Sequence, residues 1–77
     1  MQLAIDFDGT LVKDAYPMIG AEMPGAVDTL KKLQSKGHTL ILWTCRSHDK
    51  NLLQEAVDWC AKRGLVFDKI APGKISA

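Results

Sequence analysis

Gln2-Leu3-Ala4-Ile5-Asp6-Phe7-Asp8-Gly9-Thr10 decides the reading of this chain. An apolar run changes within a residue or two into carboxylates, a glycine and a threonine, the pattern of a buried strand that ends in a polar loop. The apolar residues are consecutive, as in a parallel strand covered on both faces, and do not alternate. Asp6 follows Ile5 with no polar transition, and a carboxylate at the edge of a buried strand is costly unless it is paired or used. An Asp-Gly pair after a strand also occurs as a simple turn. Asp6 and Asp8 lie two residues apart in extended chain and can face one site. Two carboxylates that close repel unless a cation intervenes, and their hard oxygens suit Mg²⁺. Gly9 frees the backbone to turn back over the site, with Thr10 beside it.

Outward from this stretch, Leu11 to Met23 holds Tyr16-Pro17 and Gly20 without a sustained period, which predicts an irregular loop with room for a small hairpin. Pro24 and Gly37 bracket a helix whose apolar face is Val27, Leu30 and Leu33. Thr39 to Thr44 reads as a second continuously apolar strand, with Thr44, Cys45 and Arg46 at its polar end. Ser47 or Asp49 can cap a second helix that runs to Gly64, with Leu53, Ala56, Val57 and Cys60 as its stripe. The apolar run Leu65 to Phe67 opens the tail. Strands alternating with helices predict a parallel α/β sheet with right-handed crossovers. Such a sheet needs cover on both faces, so at least one more strand is expected, and the sequence stops where it should begin.

Composition limits the function. The chain has 77 residues, 47% hydrophobic and 25% charged, with a formal net charge of +1. That balance gives no basic surface for nucleic acid or membrane and too much apolar content for disorder. The longest uninterrupted apolar stretch, Leu40 to Trp43, is far too short to span a bilayer. With no secretory pattern at Met1-Gln2, a cytoplasmic location is the expectation. Cys45 and Cys60 have no metal-ligand or redox spacing and read as free thiols. Trp43, Trp59 and the methionines are expected to pack, and His38 and His48 are given no chemistry. A chain this short is expected to have a core worth about 3–5 kcal/mol.

Ile5-Asp6-Phe7-Asp8-Gly9-Thr10-Leu11-Val12 resembles the first motif of the haloacid-dehalogenase-like (HAD) phosphohydrolases. Leu40 to Thr44 resembles their second motif and Pro72-Gly73-Lys74 their third. The resemblance implies a Rossmann-like, three-layer α/β/α core, incomplete in this chain, and a Mg²⁺-dependent phosphatase acting on phosphate monoesters. It implies Asp6 as nucleophile through an aspartyl-phosphate, and Asp8 as general acid and then base. The Asp6 carboxylate and the Asp8 backbone carbonyl would ligate Mg²⁺. Gly9 and Thr10 would line the substrate site. The Thr44 hydroxyl and the Cys45 N–H would hold the phosphoryl oxygens, and Lys74 would neutralise charge, with Lys69 the weaker substitute. Arg46 either contacts substrate or sits near the start of the second helix.

Neither gap between motifs can house a cap domain. The resemblance is therefore to the capless branch, whose open site admits bulky phosphorylated molecules or is covered by another subunit of a homo-oligomer. The family's fourth motif, an acidic pair after a further apolar strand, does not occur before Ala77, and a longer parent domain is the expectation. A phosphotransferase of the same superfamily and a non-catalytic interaction module are the alternative functions.

Overall fold

The computed structural model describes residues 1–71, so Lys74 and the rest of Pro72-Gly73-Lys74 lie outside the described residues. Three strands, β1 (Gln2–Ile5), β2 (Thr39–Leu42) and β3 (Lys69–Ile70), form a sheet in the order β1-β2-β3. Both neighbouring pairs are parallel, with Leu3 opposite Leu40, Ile5 opposite Leu42, and Leu42 opposite Ile70. The third strand therefore lies inside the chain, where the sequence reads as two strands followed by a short apolar run, with the further strand expected only beyond the last residue. It falls on Lys69 and Ile70, paired with Ile41 and Leu42, after the apolar run 65–67, of which Leu65 is fully buried in the core.

Helix α1 (Ala26–Ser35) crosses from β1 to β2 and helix α2 (Lys50–Lys62) from β2 to β3. Right-handed crossovers between strands in sequential order place both helices on one face of the sheet. The core agrees: Val27 and Leu30 of α1, Ala56 and Cys60 of α2, and Leu40 and Leu42 of β2 belong to a single buried cluster with Phe7, Leu11, Val12 and Leu65. Leu3 and Ile5, in register with those β2 leucines, pack against it. On the alternate positions Ala4 is exposed, Ile41 is half-buried and Trp43 is 43% exposed. The described residues therefore make two layers, helices on sheet, where three were expected. Trp43 belongs to that second sheet face and not to the core. Trp59 does pack, edge-on against Phe7 with ring centroids 5.6 Å apart.

The loop before α1 contains the small hairpin for which the sequence leaves room. Lys13 N–H donates to the Ala21 carbonyl at 2.8 Å, and Val12 bridges Glu22 in antiparallel fashion. Gly20 sits where a Cβ would run into the Lys13 carbonyl oxygen, so this small hairpin requires glycine there. Helix α1 begins later than Pro24 suggests. Gly25, at φ 78°, occupies the N-cap with left-handed backbone, and Pro24-Gly25 forms a turn ahead of the first helical residue. At the start of α2 the cap is Asp49, whose carboxylate accepts from Asn51 N–H at 2.8 Å. Ser47 instead lies in a 3₁₀ turn, Cys45–His48, between β2 and α2.

Asp68 ties this layer arrangement together at the sheet's lower end. Its carboxylate accepts from Leu40 N–H at 2.8 Å and from the Gln34 side-chain amide at 3.1 Å. These hydrogen bonds, the one from Leu40 foremost, hold its pKa below the ordinary carboxylate value. A carboxyl with a depressed folded pKa adds stability above its unfolded pKa and loses it as pH falls through the folded one. Acid titration of unfolding should therefore show a smaller loss of stability below about pH 4 in Asp68→Asn than in the parent. An identical pH profile would show that Asp68 does not contribute to this loss.

Both cysteines are free. Cys60 is 1% exposed, and burial pushes its thiol up to about 11. A thiol reagent should label the half-buried Cys45 in the native protein and reach Cys60 only on unfolding, as peptide mapping would show.

Candidate active site

In open α/β sheets, ligands gather beyond the carboxyl ends of the strands. The carboxyl end of β1 leads into Asp6-Phe7-Asp8, and that of β2 into Trp43-Thr44-Cys45-Arg46. The two ends stay side by side because Trp43 N–H donates to the Ile5 carbonyl at 2.8 Å. Phe7 anchors the first segment. It is fully buried, and its carbonyl accepts from the N–H groups of Thr10 (3.2 Å) and Leu11 (3.0 Å). Gly9, at φ 85°, completes this tight turn with a 2.8 Å hydrogen bond from its N–H to the Val12 carbonyl. Gly9 and Thr10 are exposed at its tip.

The carboxylates on either side of Phe7 have different surroundings. Asp6 is half-buried, and its Oδ1 accepts from Phe7 N–H at 2.8 Å. The Asp8 side chain is 8% exposed and is gripped by Arg46 from 38 positions away, Nε on Oδ2 and Nη2 on Oδ1, both at 2.8 Å. This is the bidentate fork that an arginine makes with a carboxylate. Arg46 Nη1 also donates to the Pro17 carbonyl at 3.2 Å and Nη2 to the Met18 carbonyl at 3.0 Å. Four of the five guanidinium N–H groups are thereby engaged with protein acceptors. The guanidinium carbon stands 5.2 Å from the centre of the Phe7 ring and 5.4 Å from that of Tyr16. Arg46 is fully buried, and its pKa is raised, chiefly by the hydrogen bond to Asp8 and against the effect of desolvation.

Thr44 is fully buried as well. Its extended backbone caps the 3₁₀ turn, and its Oγ1 accepts from Arg46 N–H at 3.2 Å. That bond uses an acceptor lone pair and leaves the hydroxyl proton for another partner. Cys45 is half-buried in the same turn. His48, to which the sequence assigned nothing, closes the rim: its Nδ1 meets the Cys45 carbonyl and its Nε2 lies 3.2 Å from the Tyr16 hydroxyl.

Of the sequence-derived site residues, the structure thus joins Asp8 directly to Arg46 and places Asp6, Gly9, Thr10, Thr44 and Cys45 at the same end of the sheet. Lys69 lies in β3 and is exposed. The residues missed by sequence reasoning are Tyr16 and His48, the pair at the rim. No group of three or more His, Cys, Asp or Glu side chains that could hold a metal occurs among the described residues.

No family model and no curated protein matches the chain. Among solved structures it is similar to a conserved protein from Bacteroides thetaiotaomicron, at 53% identity and a TM-score of 0.87. The match covers 91% of this chain and 56% of that one, so the chain spans little more than half the length of its structural neighbour. No helix among the described residues is long and apolar enough to cross a membrane.

Proposed function

We propose that this chain is the nucleophile-bearing part of a HAD-like phosphohydrolase core that cleaves phosphate monoesters through an aspartyl-phosphate. The observation that carries the reading is the Asp6-Phe7-Asp8-Gly9-Thr10 turn at the end of a parallel strand, flanked by Thr44 at the end of the next. In this reading the Asp6 carboxylate attacks phosphorus, and the bond to the ester oxygen breaks as Asp8 gives that oxygen a proton. Water then attacks the aspartyl-phosphate while Asp8 takes up its proton, and the bond between phosphorus and the Asp6 oxygen breaks to release phosphate. The fork from Arg46 leaves each Asp8 oxygen further lone-pair capacity for the proton that Asp8 takes from water in the second step. The Thr44 hydroxyl and Cys45 N–H would steady the phosphoryl oxygens.

The oxygen donors at this end of the sheet fit Mg²⁺ in kind. The Asp6 carboxylate and the Asp8 carbonyl are hard ligands, and Mg²⁺ completes its shell with water and substrate phosphate. When bound, it would neutralise charge on the phosphoryl group. The third helical layer expected of such a core, on the face carrying Ala4, Ile41 and Trp43, belongs to this proposal too.

The test is hydrolysis of p-nitrophenyl phosphate by the protein with Mg²⁺ and with chelator, together with binding of beryllofluoride, a mimic of aspartyl-phosphate that needs no turnover. Chelator-sensitive hydrolysis and a shift of the Asp6 and Asp8 amide resonances with beryllofluoride are the expected results. Absence of both from a folded sample would sink the reading.

A further inference from the structure

We propose that Arg46 is a positioning residue that locks the Asp8 carboxylate and the 13–23 loop into one unit, so that the loop can leave the site only by disturbing Asp8. The catalytic half of this inference rests on the phosphatase reading; the mechanical half does not.

A single fully buried guanidinium serves both partners. Its Nε and Nη2 hold the two Asp8 oxygens at 2.8 Å, while Nη1 and Nη2 hold the Pro17 and Met18 carbonyls at 3.2 and 3.0 Å. Nη2 is shared between Asp8 and Met18, so displacement of either acceptor shifts the group that holds the other. The planar guanidinium transmits that shift as a rigid body. Phe7 and Tyr16 limit its freedom further, one from the strand end and one from the loop itself.

Stability alone gives a weak account of such a pair. Burying two charges costs several kcal/mol per ion, and an apolar replacement of similar volume is often neutral or stabilising. What the fork supplies is orientation: it leaves the Asp8 carboxylate one plane and one direction. The sequence between Asp8 and the held carbonyls is short, and its hairpin is tied by the Lys13–Ala21 hydrogen bond, so slack cannot absorb a loop movement. A second, exposed tie joins the same loop to the same 3₁₀ turn through Tyr16 and His48. Asp8 orientation and loop closure are thus a single degree of freedom, read by Arg46.

Arg46→Lys keeps the charge but replaces a planar fork by one ammonium, which cannot hold Asp8 and both carbonyls. The expected result is a fall in kcat of about 10–100-fold, typical of losing an orienting partner, with KM changed less than about threefold. Amide hydrogen exchange at Lys13 and Met18, whose N–H groups bond the Ala21 and Ala15 carbonyls, should accelerate at least about tenfold in the same variant. Asp8→Asn, which weakens the fork from its other end, should accelerate exchange at those two amides as well. That variant carries the test if Arg46→Lys does not fold.

Unchanged exchange at Lys13 and Met18 in folded Arg46→Lys, or in Asp8→Asn where the former does not fold, would overturn the coupling. A raised KM with unchanged kcat would overturn the positioning role, because it marks Arg46 as a direct substrate contact. If the parent protein hydrolyses no phosphate ester but both variants loosen the loop, the phosphatase reading fails and the mechanical coupling stands.

Discussion

Asp6→Asn is expected to reduce turnover of a phosphate ester by at least about 10³-fold, as loss of a covalent nucleophile does, while the protein stays folded. The substitution is nearly isosteric. The asparagine carbonyl can still accept the Phe7 N–H that now reaches Asp6 Oδ1 at 2.8 Å, so the turn keeps its local hydrogen bond. What disappears is the anionic oxygen that would attack phosphorus. An amide oxygen is a poor nucleophile, and beryllofluoride should no longer bind. Circular dichroism and the melting temperature check the fold, and initial rates check the chemistry. Metal-dependent hydrolysis that survives in Asp6→Asn would remove Asp6 from the nucleophile's role and with it the proposed pathway.

Phe7→Ala should be the most damaging single change to stability. Truncating a buried phenylalanine costs about 3–5 kcal/mol through lost transfer energy and the cavity left behind. Phe7 is fully buried, meets Trp59 edge-on and lies under the Arg46 guanidinium, so no neighbour can collapse into its place cheaply. A core of this size contributes only about 3–5 kcal/mol of net stability, so the variant should be largely unfolded at 25 °C. Loss of the cooperative thermal transition would show it. A variant melting within a few degrees of the parent would mean that Phe7 is not the anchor of the Asp6–Asp8 turn. Phe7→Leu, which keeps most of the apolar volume, should stay folded with a lower melting temperature.

The parts of this fold legible in the sequence are those set by local chemistry. The runs Leu3 to Ile5 and Leu40 to Leu42, the apolar stripes of the two helices, and the glycines at 37 and 64 needed no tertiary information. Asp49 and Ser47 competed for one cap, and only the 3₁₀ turn after β2 separates them. Within the candidate site, the placement of Asp6, Asp8 and Thr44 just beyond the ends of β1 and β2 was legible, because each follows a continuous apolar run. The partnership of Arg46 with Asp8 was not, since it joins residues 38 apart and depends on the parallel register of β1 and β2. The same holds for Tyr16 and His48, brought together across 32 positions by the loop that Arg46 holds. Trp43 misled for a different reason. An apolar residue in a continuous apolar run gives no sign of which sheet face it takes, and that face has no helix among the described residues.

The position of β1 has a practical consequence. Among the described residues it pairs with β2 alone, so one side of Gln2–Ile5 presents unpaired backbone N–H and C=O groups. Uncharged and largely apolar, this border is a template for a fourth strand, whichever chain supplies it. In a concentrated solution of the 77-residue chain, the nearest supplier is another molecule's own β1. Ageing samples should therefore gain intermolecular β-structure along that border, and a lysine in place of Ala4 is the change that would keep them clear.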